Sequence, residues 1–129
     1  MSEWAVGVLE DEIEDHVMPR EYWFEIVFNY LDDVEELAKR AGRQELVDLS
    51  MYAKLNLRFL AARTPVPRVA EKCVSVLEEV LCEAGKLLEA LEQQFSIGAR
   101  ECWRIKTVLA EAALQNIKQL LENGGGKHG

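Results

Sequence analysis

Histidine, proline and cysteine are scarce in this chain, and each shortage excludes a class of chemistry. The two histidines, His16 and His128, stand at opposite ends, and neither belongs to a Glu-x-x-His pair. The carboxylate and histidine sets that hold metals inside helical bundles therefore lack their ligands, and we expect no metal and no cofactor. Cys73, Cys82 and Cys102 form no CxxC pair and leave one over, which argues against a secreted disulfide framework. Cys73 and Cys102 fall on apolar faces of their helices and read as small packed hydrophobes. Cys82 points outward among Glu78, Glu79 and Glu83, whose charge suppresses its thiolate.

Long apolar runs are missing too. None approaches the roughly 18 to 20 residues of a membrane span, and the first residues are acidic where a secretory leader is basic. The expected address is the cytoplasm, with no membrane contact. There is no glycine-rich phosphate loop: Gly124, Gly125 and Gly126 follow a helical pattern instead of opening one. No Ser, Cys and His stand in a recognisable triad. Adjacent acids such as Glu78 and Glu79 diverge by about 100° on a helix, the pattern of a solvated face and not of an acid/base pair. The sequence therefore predicts a protein that is not an enzyme.

What remains is helical periodicity. Apolar residues make up 49% and charged residues 29% of 129 residues, a composition that folds as one domain, here residues 1–122, followed by a glycine-rich tail over 123–129 expected to be disordered. The clearest pattern lies between Pro67 and Phe95. Ala70, Cys73, Leu77, Val80, Ala84, Leu87 and Leu91 recur at steps of three and four, with Val74, Leu81 and Leu88 beside them.

The other helices follow from punctuation and spacing. Ser2 caps a short acidic helix over about 3–17, striped by Val6, Leu9, Ile13 and Val17. Pro19 starts a second helix that runs to Ala41 and stops at Gly42. Its expected core face is Trp23, Ile26, Val27, Tyr30, Val34, Leu37, Ala38 and Ala41. The third covers 44–63 and is apolar on two sides: Leu46, Leu49, Ala53, Leu57 and Leu60 on one, Val47, Met51, Tyr52, Leu55 and Phe59 on the other. The extended Thr64-Pro65-Val66-Pro67 separates two hairpins. Ser96-Ile97-Gly98 turns the chain into a last helix over about 99–122, with Cys102, Ile105, Leu109, Ala112, Ala113, Ile117 and Leu120 inward and Ala110, Leu114 and Leu121 widening that face. The expected fold is all-α: an antiparallel bundle of four long helices with the acidic N-terminal helix packed across it.

Two surfaces are candidates for function. Tyr22, Phe24 and Phe28 spread apolar area around the start of the second helix, and Met51, Tyr52, Leu55 and Phe59 form the spare face of the third. Either the N-terminal helix covers them or a protein partner does, which makes the chain a homodimer or a small subunit of an assembly. The other candidate is electrostatic. The net charge is −8, yet residues 1–19 hold six acids and no Lys or Arg, while residues 39–72 hold eight bases against three acids. Lys54, Arg58, Arg63 and Arg68 are the candidate anion site, which would suit a nucleic-acid-associated subunit. The bland alternative is that these bases meet nearby acids or solvent, and the overall charge opposes a polyanion.

Overall fold

A computed structural model describes residues 20–62 and 66–128, with side chains over 22–62 and 66–122. Four helices pack against one another and no strand occurs among the described residues: α1 (Arg20–Arg40), α2 (Gln44–Ala62), α3 (Pro67–Leu91) and α4 (Ile97–His128). The all-α class is as expected. The acidic helix proposed for 3–17, together with Arg63, Thr64 and Pro65, lies outside the described residues.

The boundaries have local causes. α1 ends in Lys39 and Arg40, favourably placed at the negative end of the helix dipole. Arg43 N–H then donates to Ala38 O (2.8 Å) and Gly42 N–H to Lys39 O (3.2 Å), a double closure that needs a left-handed residue, and Gly42 supplies it at φ 71°. α3 opens on Pro67, whose fixed φ suits a first turn, after an extended Val66. It gives way at Leu91 to a single 3-10 turn over Glu92–Gln94, so it is four residues shorter than expected. Ser96 Oγ accepts from Ala99 N–H at 3.1 Å and so caps α4, which starts at Ile97 and not at Ala99. The α4 backbone remains helical to His128, past the boundary expected at Glu122. Three glycines lower helix propensity by about 1 kcal/mol each but, unlike proline, do not forbid the conformation.

α1 packs on α2 and α4, and α3 packs on the same two, so α2 and α4 stand on opposite sides of the molecule. Val27, Leu31 and Val34 of α1, Leu57 and Leu60 of α2, Leu77, Val80 and Leu87 of α3 and Ile117 of α4 are fully enclosed between them. The α3 face is the one its periodicity predicts. In α1 the inward face also takes Phe24 and Leu31, while Trp23, Ile26 and Leu37 are only partly covered.

The inward face of α4 is corrected in part. Ala110, Ala113, Leu114 and Ile117 are buried as expected, with Leu121 packed at the edge beside Trp103, whereas Ile105, Leu109 and Leu120 are exposed, as are Cys102 and Ala112. Two apolar stripes compete on this helix about 100° apart. The winning one carries Trp103, whose large ring meets Tyr30 edge-on (centroids 6.1 Å, 75°), and small alanines that admit close approach. Thr107 Oγ1 lies 3.0 Å from Tyr30 Oη and satisfies a buried phenol that burial pushes above its ordinary pKa. Asp33 with Lys106 (3.1 Å) and Glu78 with Lys118 (3.0 Å) close the same helix at its rims.

Two glycine substitutions separate backbone conformation from space. A Cβ at either Gly42 or Gly85 meets nothing within 4 Å, but only Gly42 has positive φ. Gly42→Ala is expected to lower stability by about 1 to 2 kcal/mol, the cost of the left-handed region. Gly85→Ala, inside α3, is expected to raise it by about 0.5 to 1 kcal/mol. Paired urea unfolding curves measure both.

Candidate protein interface

α2 buries one of its two apolar sides. Leu46, Val47, Ser50, Ala53, Leu57 and Leu60 face the interior. Met51 (50% exposed), Tyr52 (56%), Leu55 (62%) and Phe59 (39%) face out. Met51, Leu55 and Phe59 follow at steps of four and line up along the helix. Val47, expected with them, is buried instead, because the tight turn at Gly42 brings α1 close over the first turn of α2. The orphan in this helix is the Ser50 hydroxyl, fully buried with no hydrogen-bond partner.

The aromatic start of α1 divides. Phe24 is buried and belongs to the core, not to a free surface. It shares a groove with Phe28, Leu57, Arg58 and Ala61 at the α1–α2 seam. Phe28 is half-buried, with Lys54 Nζ 5.6 Å and the Arg58 guanidinium 5.0 Å from its ring centre. Tyr22 lies about 120° around the helix from Phe28 and meets Trp23 edge-on at 5.9 Å. Phe28 thus borders the outer face of α2 through Arg58, and Tyr22 sits on another flank.

Of the four candidate anion-site residues, Lys54, Arg58 and Arg68 are among the described residues and Arg63 is not. Lys54 is held by carboxylates of α1, at 2.6 Å from Asp32 and 2.7 Å from Glu35, and Glu35 also pairs with Lys39 at 3.2 Å. Hydrogen bonding to Lys54 is the largest cause holding the Glu35 carboxyl below its ordinary value, with Lys39 adding to it. Hydrogen bonds to Asp32 and then Glu35 raise the Lys54 ammonium. Arg58 and Arg68 are exposed, with no carboxylate partner among the described residues.

Lys72, one of the eight bases of residues 39–72 but outside the candidate anion site, is exposed as well. Arg68, Lys72, Glu79 and Glu83 recur on one side of α3, and Glu79 and Glu83 line a groove with Leu46 and Leu49 of α2. Arg68 and Lys72 therefore stand on the side of α3 that faces α2, nearer its C-terminal end. The outer face of α2 has Arg58 on one border and Lys72 with Arg68 on the other.

Elsewhere the described residues offer little chemistry. No group of three or more His, Cys, Asp or Glu is placed to hold a metal ion, and no helix is long and apolar enough to cross a membrane. Cys73 is buried, its thiol pushed up by desolvation, while Cys82 and Cys102 are exposed and free. No family model matches the chain, and no curated protein or solved structure matches it.

The Lys54 cluster makes a pH prediction with a fixed sign. A carboxyl whose folded pKa is depressed contributes stability above its unfolded value of about 4.5 and loses it as pH falls through the folded one. A raised ammonium contributes below about 10.5 and loses its contribution only at higher pH. Lys54→Met should therefore lower the melting temperature at neutral pH. The gap to the native protein should close as the solution is acidified through the carboxylate range, which thermal melts across pH will show.

Proposed function

We propose that this chain is a non-enzymatic helical interaction protein of the cytoplasm, acting as a homodimer or as a small subunit of a larger assembly. Its helices form an antiparallel bundle of two hairpins with an acidic N-terminal helix added, and the outer face of α2 is its contact surface. The observation that carries this reading is the exposure of Met51, Tyr52, Leu55 and Phe59 along one line of a helix whose other side is core. Methionine and aromatic residues are the side chains enriched at protein interfaces, and four on one helix face give a partner helix a continuous row of anchors. The α1–α2 groove at Phe28 and Arg58 extends that row.

A nucleic-acid surface on Lys54, Arg58, Arg63 and Arg68 has less behind it. Lys54 is neutralised by Asp32 and Glu35, and the net charge of −8 repels a polyanion.

The double substitution Met51→Glu with Leu55→Glu tests the proposal. As a surface change it should alter stability by no more than about 0.5 kcal/mol per site, whereas a carboxylate forced into a core costs several. The native mass by light scattering should climb toward twice 14.7 kDa over a hundredfold rise in concentration, and the variant should stay at 14.7 kDa with its helicity intact. Unfolding of the variant would place the face in a core and end the proposal.

A further inference from the structure

We infer that the seam between α3 and α4 is a docking groove for a basic amphipathic helix of another protein. No residue of α2 lines it, so it is separate from the outer face of α2 and takes a different kind of partner. Its shape, its spacing and its charge each point to that occupant.

The seam is open because α4 is committed elsewhere. Trp103 and Thr107 hold α4 to Tyr30 of α1, and Lys106 holds it to Asp33. Glu78 with Lys118 is the one ion pair that joins α3 to α4 among the described residues. Three recesses follow one another along the seam, formed by 67–78 with 118–122, then 78–82 with 111–115, then 85–95 with 100–108. They hold about 340, 350 and 470 Å³, a size that takes anchoring side chains. Together they run the whole length of α3, about 36 Å at 1.5 Å per residue.

The floor repeats every seven residues on both walls. Val74, Leu81, Leu88 and Phe95 step by seven along one side, and Leu121, Leu114 and Thr107 step by seven along the other. Each recess therefore contains one rung: Val74 with Leu121, then Leu81 with Leu114, then Leu88 with Thr107. Val74 and Leu114 are buried, but Leu81, Leu88, Phe95 and Leu121 are only half-covered. A period of seven keeps one face of a helix against a supercoiling neighbour. The groove is spaced for a helix of about three heptads that sets one apolar layer on each rung.

Charge selects the flanks of that helix. Glu71, Glu89, Glu92, Glu111 and Glu122 line the recesses, and no base pairs with them among the described residues. The bases on the groove are occupied: Lys118 by Glu78, Arg104 by Glu101, and Arg100 by the Phe95 carbonyl, to which its Nε–H donates at 3.3 Å. The Glu78–Lys118 bridge is partly exposed and lies between the first two recesses, so a lysine of the occupant can share Glu78. An apolar row framed by uncompensated carboxylates is complementary to an apolar row framed by Lys and Arg. The exposed rows of this chain do not supply that helix to a second copy. The row on α2 covers only about 12 Å, with Glu45 and Asp48 at one end. Beside the row on α4, Lys106 and Arg104 are already held by Asp33 and Glu101. The occupant is a foreign chain.

The test titrates the full chain with a labelled peptide of about three heptads, Leu at the two seam positions and Lys on both flanks, read by fluorescence anisotropy. Its like-charged flanks keep the peptide from pairing with itself. The controls are a scramble of the same composition and a peptide with Glu on the flanks. The Lys peptide should bind at least about tenfold more tightly than either, and added salt should weaken it. Glu71→Lys with Glu111→Lys changes two exposed residues, so helicity should hold, while affinity for the Lys peptide should fall at least about tenfold and the Glu peptide should gain. Two cysteines report position, because Cys82 lines the middle recess and Cys102 is exposed outside all three. Bound peptide should slow iodoacetamide alkylation of Cys82 at least about fivefold and leave Cys102 unchanged. No saturable binding, binding equal to that of the scramble, binding indifferent to the two reversals, or bound peptide that leaves Cys82 unprotected each overturns the proposal. Binding that Met51→Glu with Leu55→Glu abolishes and the reversals spare puts the peptide on α2, which overturns the groove and keeps the α2 face. Protection of Cys82 in a chain that never self-associates keeps the groove and removes the homodimer.

Discussion

A helix that carries apolar side chains on two sides can give only one of them to a core of four helices. α2 is that helix, and much of the molecule follows from which side it commits. Leu46, Ala53, Leu57 and Leu60 lie between α1 and α3, where the small Ala53 and Ser50 allow neighbouring backbones to come close. Once that side is chosen, Met51, Tyr52, Leu55 and Phe59 must face away. Lys54 lies at the border between the two sides, and its partly exposed bridge to Asp32 and Glu35 of α1 adds a modest preference for this rotation. A roll of about 165°, nearly a half turn, would be needed to bury the outer row, and it would take Lys54 from its two carboxylates and bring the opposite row out.

Of the residues expected to converge on an anion, Lys54 is used structurally and Arg58 stacks on Phe28, while Arg68 stands on a different helix. What the sequence does reveal is the imbalance itself, because the excess of acids over 1–19 and of bases over 39–72 is visible as counts along the chain.

Legibility varied with how many solutions each helix left open. α3 has one apolar face and was read almost residue for residue, from Ala70 to Leu87. The stop at Gly42 and the break near Ser96 were legible because each depends on a single residue type, a left-handed glycine and a side-chain cap. On α4 the expected face was rotated, so that Ala113 and Ile117 fall inside as expected but Ile105, Leu109 and Leu120 do not. Its two stripes differ little in total hydrophobicity, and the choice between them was made by Tyr30 on α1, which takes Trp103 edge-on and Thr107 by hydrogen bond. No window along α4 contains that partner, seventy-seven residues away from Thr107. Phe24 was misplaced for a related reason: three aromatics in one turn cannot all face the core, and the position of α2 decides which one does.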